Sequence, residues 1–251
     1  MQIPQVIHYV WLGDEKTPTV NSVISSWKKK AKDFKIKEWN EKDLEPLAQS
    51  NAFFRDALND KNYSYASDVA RLFILKNYGG LYLDTDEILL TNPSKIIQNR
   101  ELVYGIQEPA KEFILTAFIA AVPGQTEIAK MLEFYNGLDY EKNSLIPNSE
   151  FFGPIIFKKY KLLHISKTQE KNNKKIVFYA PNVLYQPSFH SIAIHIGMKA
   201  WGTKTRHDKF RINARKHLHN RFEAGMFRII NDIARKVIPD STYGGGLNND
   251  K

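Results

Sequence analysis

The stretch "YASDVARLFILKNYGGLYLDTD", residues 65–86, constrains this chain more than any other. Val69, Leu72, Phe73 and Lys76 follow helical spacing, Ser64 or Ser67 is placed to cap the start, and Gly79 or Gly80 to supply a left-handed cap at the end. "LYLD" then reads as a buried strand. A helix turned directly into a strand by two glycines belongs to an α/β fold. The strand ends in two aspartates with one residue between them, and a chain with this much aspartate contains a D-x-D triplet by chance roughly 0.7 times. The triplet therefore means little until its surroundings are read.

Those surroundings add charge of both signs. Asp68 and Arg71 are three apart on the helix and share a face, and Asp84 and Asp86, read as strand residues, also share one. One Gly-Gly turn separates the two pairs, so the four side chains are expected to converge on a cleft at a strand end, where open α/β sheets place their ligands.

The flanking sequence extends the same architecture. A strand is expected from about Gln5 to Leu12, a helix over "TVNSVISSWKKKA" with Val20, Val23, Ile24 and Trp27 on one face, and a second strand over "FKIKEWN". "ELVYGI", "FILTAFIAAV", "KKIVFYAP" and "HSIAIHIG" read as later strands, and "QTEIAKMLEFYNGL" as a helix with acid in its first turn. No internal repeat is visible, and "YGGGLNNDK" reads as a frayed tail. With 251 residues and 43% hydrophobic content the chain can bury one substantial core.

Composition narrows the function classes. The absence of cysteine excludes a disulfide framework and thiolate metal sites and fits a reducing compartment. The first residues lack a secretory pattern, and no run approaches the ~18 apolar residues needed to cross a bilayer. The chain is accordingly expected to be soluble or peripheral. Its charge is uneven: eleven Lys and Arg against three Asp and Glu fall between Lys199 and Val237, a net +8 of the total +9. In that segment Leu218, Phe222, Met226, Ile229, Ile230, Ile233 and Val237 recur at helical spacing among the arginines. A basic amphipathic helix reads as a membrane-surface element, and the alternative is a helix packing its apolar stripe on its own domain or on a second subunit. No nucleic-acid module is present, so nucleic acid is not an expected partner. His8 lies inside the first strand and reads as structural.

Two close carboxylates repel unless a cation sits between them, and a divalent ion with oxygen ligands is the usual solution. Held by few protein oxygens, such an ion keeps positions for phosphate oxygens and neutralises charge on a departing pyrophosphate. The D-x-D thus points to reaction of an activated, phosphate-bearing substrate.

Taken in order, "IPQVIHYVWLG", Ser26–Trp27, "EWN" at 38–40, "YASDVARLFILKNYGGLYLDTD", Gly153–Pro154 and "AIHIGMKAW" resemble the DXD-containing sugar transferases of glycosyltransferase family 32 over roughly residues 3–201. The resemblance implies a GT-A fold with a mixed central sheet over 1–203; the charge and spacing beyond it are read as a basic amphipathic helical appendage at 204–238 and a flexible tail at 239–251. It implies Asp68, Arg71, Asp84 and Asp86 as catalytic residues, with Trp11 stacking on a nucleobase, Asp68 and Arg71 on sugar hydroxyls, and Asp84 near ribose and sugar. Asp86, His195 and Asp84 form the implied Mn²⁺ or Mg²⁺ set, and Trp201 reaches the phosphate or glycosidic oxygen. The implied activity is retaining transfer from a nucleotide-sugar donor, a UDP-sugar ahead of GDP-mannose, to a glycan or lipid-linked saccharide in bacterial surface polysaccharide synthesis. It implies a cytoplasmic enzyme, peripheral on the inner face of the cell membrane, with an oligomer left open. Two other readings stay open: a haloacid dehalogenase-like phosphatase, whose strand also ends D-x-D but normally carries Thr or Val where Ile88 stands here, and a non-enzymatic basic membrane- or polyanion-binding protein.

Overall fold

The computed structural model describes residues 1–140, 147–198 and 206–237. Strand β1 (Val6–Val10), helix α1 (Pro18–Lys30) and strand β2 (Lys35–Trp39) open the chain, and three helices follow: α2 (Glu45–Ser50), α3 (Ala52–Asn59) and α4 (Tyr63–Tyr78). Strands β3 (Gly80–Leu83) and β4 (Glu87–Leu89), helix α5 (Ser94–Ile97), and strands β5 (Leu102–Glu108) and β6 (Phe113–Ala121) lead to helices α6 (Thr126–Asn136) and α7 (Asn148–Tyr160). Strands β7 (Gln169–Lys171) and β8 (Ile176–Tyr179), helix α8 (Pro181–Leu184), strand β9 (Ala193–His195), and helices α9 (Arg206–Arg215) and α10 (Arg221–Val237) complete the described chain.

Seven strands form one mixed sheet in the order β2-β1-β3-β6-β5-β8-β7, and β4 pairs with β9 in a separate ribbon. The expected α/β class with a mixed sheet is therefore the observed one. Strand β1 is parallel to both β2 and β3, so all three end at the same edge of the sheet. Strand β6 runs antiparallel to β3 and brings Ala117, whose carbonyl accepts the Asp84 N–H at 2.9 Å, to that edge. One face of the sheet is covered by α2, α3, α4, α6 and α7 through residues such as Phe53, Phe54, Leu72, Leu75 and Phe152. The other is covered by α1 and the β4–β9 ribbon through Val20, Ile24, Trp27, Ile88 and Ile194, with Leu218 and Ala224 from the C-terminal helices in the same core.

The central helix and its turn form for the reasons the sequence suggests, with one correction. Helix α4 starts at Tyr63, so both serines lie inside it: Asn62 occupies the cap position without a side-chain bond, and the Ser67 hydroxyl donates back to the Ser64 carbonyl. At the other end Gly79 has φ 62° and Gly80 φ 95°, a pair of positive values that side-chain-bearing residues adopt only with strain. A Cβ on Gly79 would also stand 2.6 Å from the Pro123 ring, so the corner is closed by contact as well as by backbone geometry.

Two of the short motifs act as supports. The Trp27 indole N–H donates to the Glu87 carbonyl at 2.6 Å and the Leu89 N–H donates to the Ser26 hydroxyl at 3.2 Å, so Ser26–Trp27 fixes the strand leaving the D-x-D. Gly153 lets α7 lie against the backbone of Glu112: an added Cβ would stand 2.0 Å from the Glu112 carbonyl oxygen. His8 is buried as a structural residue, with Nδ1 accepting from the Trp39 indole at 3.0 Å.

Candidate active site

At the shared edge of β1 and β3 a cleft of about 420 Å³ is lined by Trp11, Asp68, Arg71, Asp84, Asp86 and His195, with Gln107, Thr116 and Asn148 among the other walls. The four residues of the central block do converge. Their arrangement differs from a shared strand face, because β3 stops at Leu83 and Asp84 to Glu87 form a turn closed by the Glu87 N–H on the Asp84 carbonyl at 3.0 Å. The two aspartates therefore take different partners.

Arg71 sits between two acids. Its Nη1 is 2.5 Å from Asp68 Oδ1, and its Nη2 donates to Asp84 at 2.9 and 3.2 Å to the two oxygens. The guanidinium is buried and lies 5.1 Å from the centre of the Tyr82 ring. Burial alone lowers the Arg71 affinity for its proton, but Asp84 and Asp68 outweigh it and the group is held charged. Burial pushes Asp68 up to about 6 against the pull of Arg71, and raises Asp84 against the same guanidinium. A buried cation shared by two carboxylates is costly to break, which makes this triad a rigid wall of the cleft.

Asp86 turns the other way. Its Oδ2 accepts from the Met198 N–H at 3.0 Å, and its Oδ1 lies 3.4 Å from His195 Nδ1. His195 and Glu87 are directly paired across the β4–β9 ribbon, and the ring Nδ1 is 2.7 Å from Glu87 Oε1. Both partners of Nδ1 are acceptors, so that nitrogen carries a hydrogen, and Nε2 can take a metal only when the ring is neutral. The ring stacks on Tyr185 at 5.6 Å. Burial lowers the His195 affinity for a proton, and Asp86 and Glu87 more than reverse this, holding it up to about 9. Burial lifts the Glu87 carboxyl to about 7 despite its bond to His195.

Four acids thus face one guanidinium and one imidazole. Both Asp84 oxygens are taken by Arg71 and one Asp86 oxygen by a backbone N–H, while Asp86 Oδ1 has only the looser 3.4 Å contact with His195 Nδ1, which leaves Asp86 Oδ1 and the His195 ring as the least committed donors of the group. Among the described residues no group of three His, Asp or Glu side chains forms a ready metal cage. The donor set instead suits an ion held by few protein atoms, with its other positions filled by oxygen from a bound molecule.

Trp11 lines the cleft from the loop after β1, half-buried, with its indole N–H spent on the Asp14 carbonyl at 2.7 Å and Lys16 Nζ 5.7 Å from its ring centre. Its ring face, not its N–H, is what it can offer. Trp201, the 203/204 domain boundary and the 239–251 tail lie outside the described residues.

Three participants have little signature in the sequence. Glu87 follows the D-x-D directly, yet nothing local pairs it with a histidine 108 positions away. Tyr82 reads as an ordinary buried strand residue. Asn148 comes from the start of α7, where its N–H donates to Asp68 Oδ2 at 3.4 Å and its amide to the Asp68 carbonyl at 3.3 Å.

Comparison with known proteins is consistent with this geometry. Residues 17–103 match the family described as a glycosyltransferase sugar-binding region containing a DXD motif. A Legionella pneumophila protein, subversion of eukaryotic traffic protein A, is 28% identical over 37% of this chain and 18% of its own length. An uncharacterized protein of Acanthamoeba polyphaga mimivirus is 25% identical over 76% of this chain and 36% of its own. The chain thus spans well under half the length of the curated relatives it matches. Among solved structures, the PaToxG glycosyltransferase superposes with a TM-score of 0.48 at 18% identity, over 63% of this chain and 70% of that one. That superposition is too loose to add to the family match. With the match running from Thr17 to Val103 and the paired aspartates inside it, the chain fits a DXD-containing glycosyltransferase.

Proposed function

We propose that this protein is a GT-A-type, divalent-metal-dependent retaining glycosyltransferase that moves a sugar from a nucleotide-sugar donor, a UDP-sugar ahead of GDP-mannose, to a glycan or lipid-linked saccharide. The observation that carries this reading is the division of labour at the D-x-D: Asp84 is bound to a buried arginine, while Asp86 meets only a backbone N–H and, at 3.4 Å, the His195 ring, in a cleft with excess acid. Such a cleft repels a diphosphate unless a cation accompanies it.

In this mechanism Trp11 stacks on the base, and the Asp68–Arg71–Asp84 wall meets the sugar and ribose hydroxyls. Asp86 and His195 would hold Mn²⁺ or Mg²⁺ once the ring is neutral, and Glu87 would orient the histidine ring. The ion supplies charge neutralisation at the departing diphosphate. Rate then comes from positioning the acceptor hydroxyl on the face the leaving group vacates, where a phosphate oxygen takes its proton. A role in bacterial surface polysaccharide synthesis, in the cytoplasm, follows from the family resemblance.

The phosphatase reading requires the first aspartate of the pair to be free as a nucleophile, and Arg71 holds both of its oxygens. Titration of UDP- and GDP-sugars with and without Mn²⁺ tests the proposal. Tight binding of one donor only with the ion, weakened roughly tenfold or more in Asp86→Asn, is the expected result. Donor binding indifferent to both the ion and the substitution refutes it, and proton NMR of the product reads the anomeric outcome.

A further inference from the structure

The last helix is mounted with its apolar stripe facing outward. Phe222, Met226, Ile229, Ile230 and Ile233 fall on one side of α10 at 3.6 residues per turn, and all five are exposed, Ile230 at 61% and Phe222 at 68%. Ala224, which is fully buried, and the partly buried Phe227 lie on the far side of the wheel, against the core. A helix that packs its apolar stripe on its own domain buries those isoleucines, and this one does the reverse. Phe189 enlarges the outer patch, its ring 6.2 Å from that of Phe222 and its edge lying over Gly225, where an added Cβ would stand 2.3 Å away.

The mounting is fixed rather than loose. Asn220 and Glu223 form a reciprocal cap, with the Glu223 N–H donating to Asn220 Oδ1 at 3.0 Å and the His219 N–H to Glu223 Oε2 at 2.6 Å. Arg221 Nε donates to the Ser191 carbonyl at 3.0 Å, and Arg215 Nη1 to the His195 carbonyl at 2.7 Å. The helix pair is therefore tied to the strand that brings His195 into the cleft.

We infer that the outer face of α10 is a docking surface for an anionic lipid membrane, which the helix enters along its length without crossing it. Among the described residues no helix is long and apolar enough to span a bilayer. An apolar stripe of large aliphatic and aromatic side chains on a strongly basic segment is the pattern of an interfacial helix. Charge selects the occupant: the segment from Lys199 to Val237 carries a net +8, so a second copy docked on the same face would set two such segments against each other, whereas an anionic headgroup layer attracts them. With α9 and α10 pinned to β9, adsorption holds the cleft at a fixed short distance from the surface.

Co-sedimentation of the full chain with phosphatidylcholine vesicles, with and without phosphatidylglycerol, at low and high salt, tests this inference apart from the transfer reading, which is followed by donor binding in solution. Binding to the anionic vesicles that weakens with salt, and falls roughly tenfold or more in Ile229→Glu/Ile230→Glu while donor binding and the melting temperature hold, is expected. Arg228→Glu, on the same helix and exposed, weakens it less. No vesicle binding, equal binding to neutral vesicles, or equal binding by the double variant overturns the inference. So does a wild-type dimer in light scattering that the double variant converts to monomer.

Discussion

In the cleft, an arginine and one aspartate are buried, a second aspartate is half-buried, and each charge is paired. On the outer face of α10, five large apolar side chains meet water with nothing packed over them among the described residues. Both regions reverse the ordinary sorting of polar and apolar groups, but they carry the cost differently. The buried charges are compensated within the fold, so disturbing them costs stability. The exposed apolar groups have no compensation among the described residues, so the described fold is indifferent to them and their gain comes from elsewhere.

The contrast can be broken most forcefully at Arg71. Arg71→Ala leaves the buried Asp68 and the half-buried Asp84 without their shared cation, and a loss of about 3–5 kcal/mol in urea unfolding is expected. A loss below about 1 kcal/mol means the triad is not the compensated unit described here. Arg71→Lys keeps the charge but not the two-sided fork, and falls between wild type and Ala.

His8 sharpens the comparison from another side, as a buried titratable group kept neutral instead of paired. Burial, aided by Lys37, lowers it from 6.5 to about 4, against the pull of the Gly79 carbonyl. The unfolded chain then binds more protons than the folded one below pH 6.5, so the stability tied to His8 is complete above that value and drains away as pH falls toward 4, by about 3 kcal/mol. Urea midpoints measured from pH 7 downward are expected to show this slope, and His8→Gln to flatten it.

A smaller effect is expected under the cleft floor. Trp27→Phe removes the indole N–H from the Glu87 carbonyl and leaves a buried acceptor unpaired, at a cost of about 2 kcal/mol by thermal or urea unfolding. Smallest of all is Ile230→Glu on the outer face, where stability is expected to move by no more than about 0.5 kcal/mol. A large loss there means the stripe is packed against something within the chain, and the two regions are then alike.

Much of the site was legible because its parts are local in sequence. Asp68 and Arg71 share one helical turn, Asp84 and Asp86 follow one corner later, and the corner needs glycine; periodicity and turn chemistry suffice to bring them together. The same reasoning misplaced detail wherever a distant contact decided it. It put both aspartates on a strand face, whereas the strand ends at Leu83 and the turn sends Asp84 to Arg71 and Asp86 to His195. It placed a serine cap on α4, whereas the helix begins at Tyr63 with Asn62 at the cap position and both serines inside it. Glu87 and Asn148 escaped it, since their partners lie 108 and 80 positions away.

The sequence by itself determined the α/β class, the helix–glycine–strand corner, the charged residues at the cleft and the basic amphipathic character of the last helix. These depend on spacing within a few residues, where backbone geometry leaves few choices. Only the tertiary structure decided which aspartate of the D-x-D Arg71 takes, which acids hold the His195 Nδ1, and that α10 turns its isoleucines outward. Amphipathicity gives a helix two faces, but which of them meets the core depends on the surface already built beneath it. Here Phe189, Ser191 and the β9 backbone accept Ala224, Gly225 and the arginines, and leave the stripe outside.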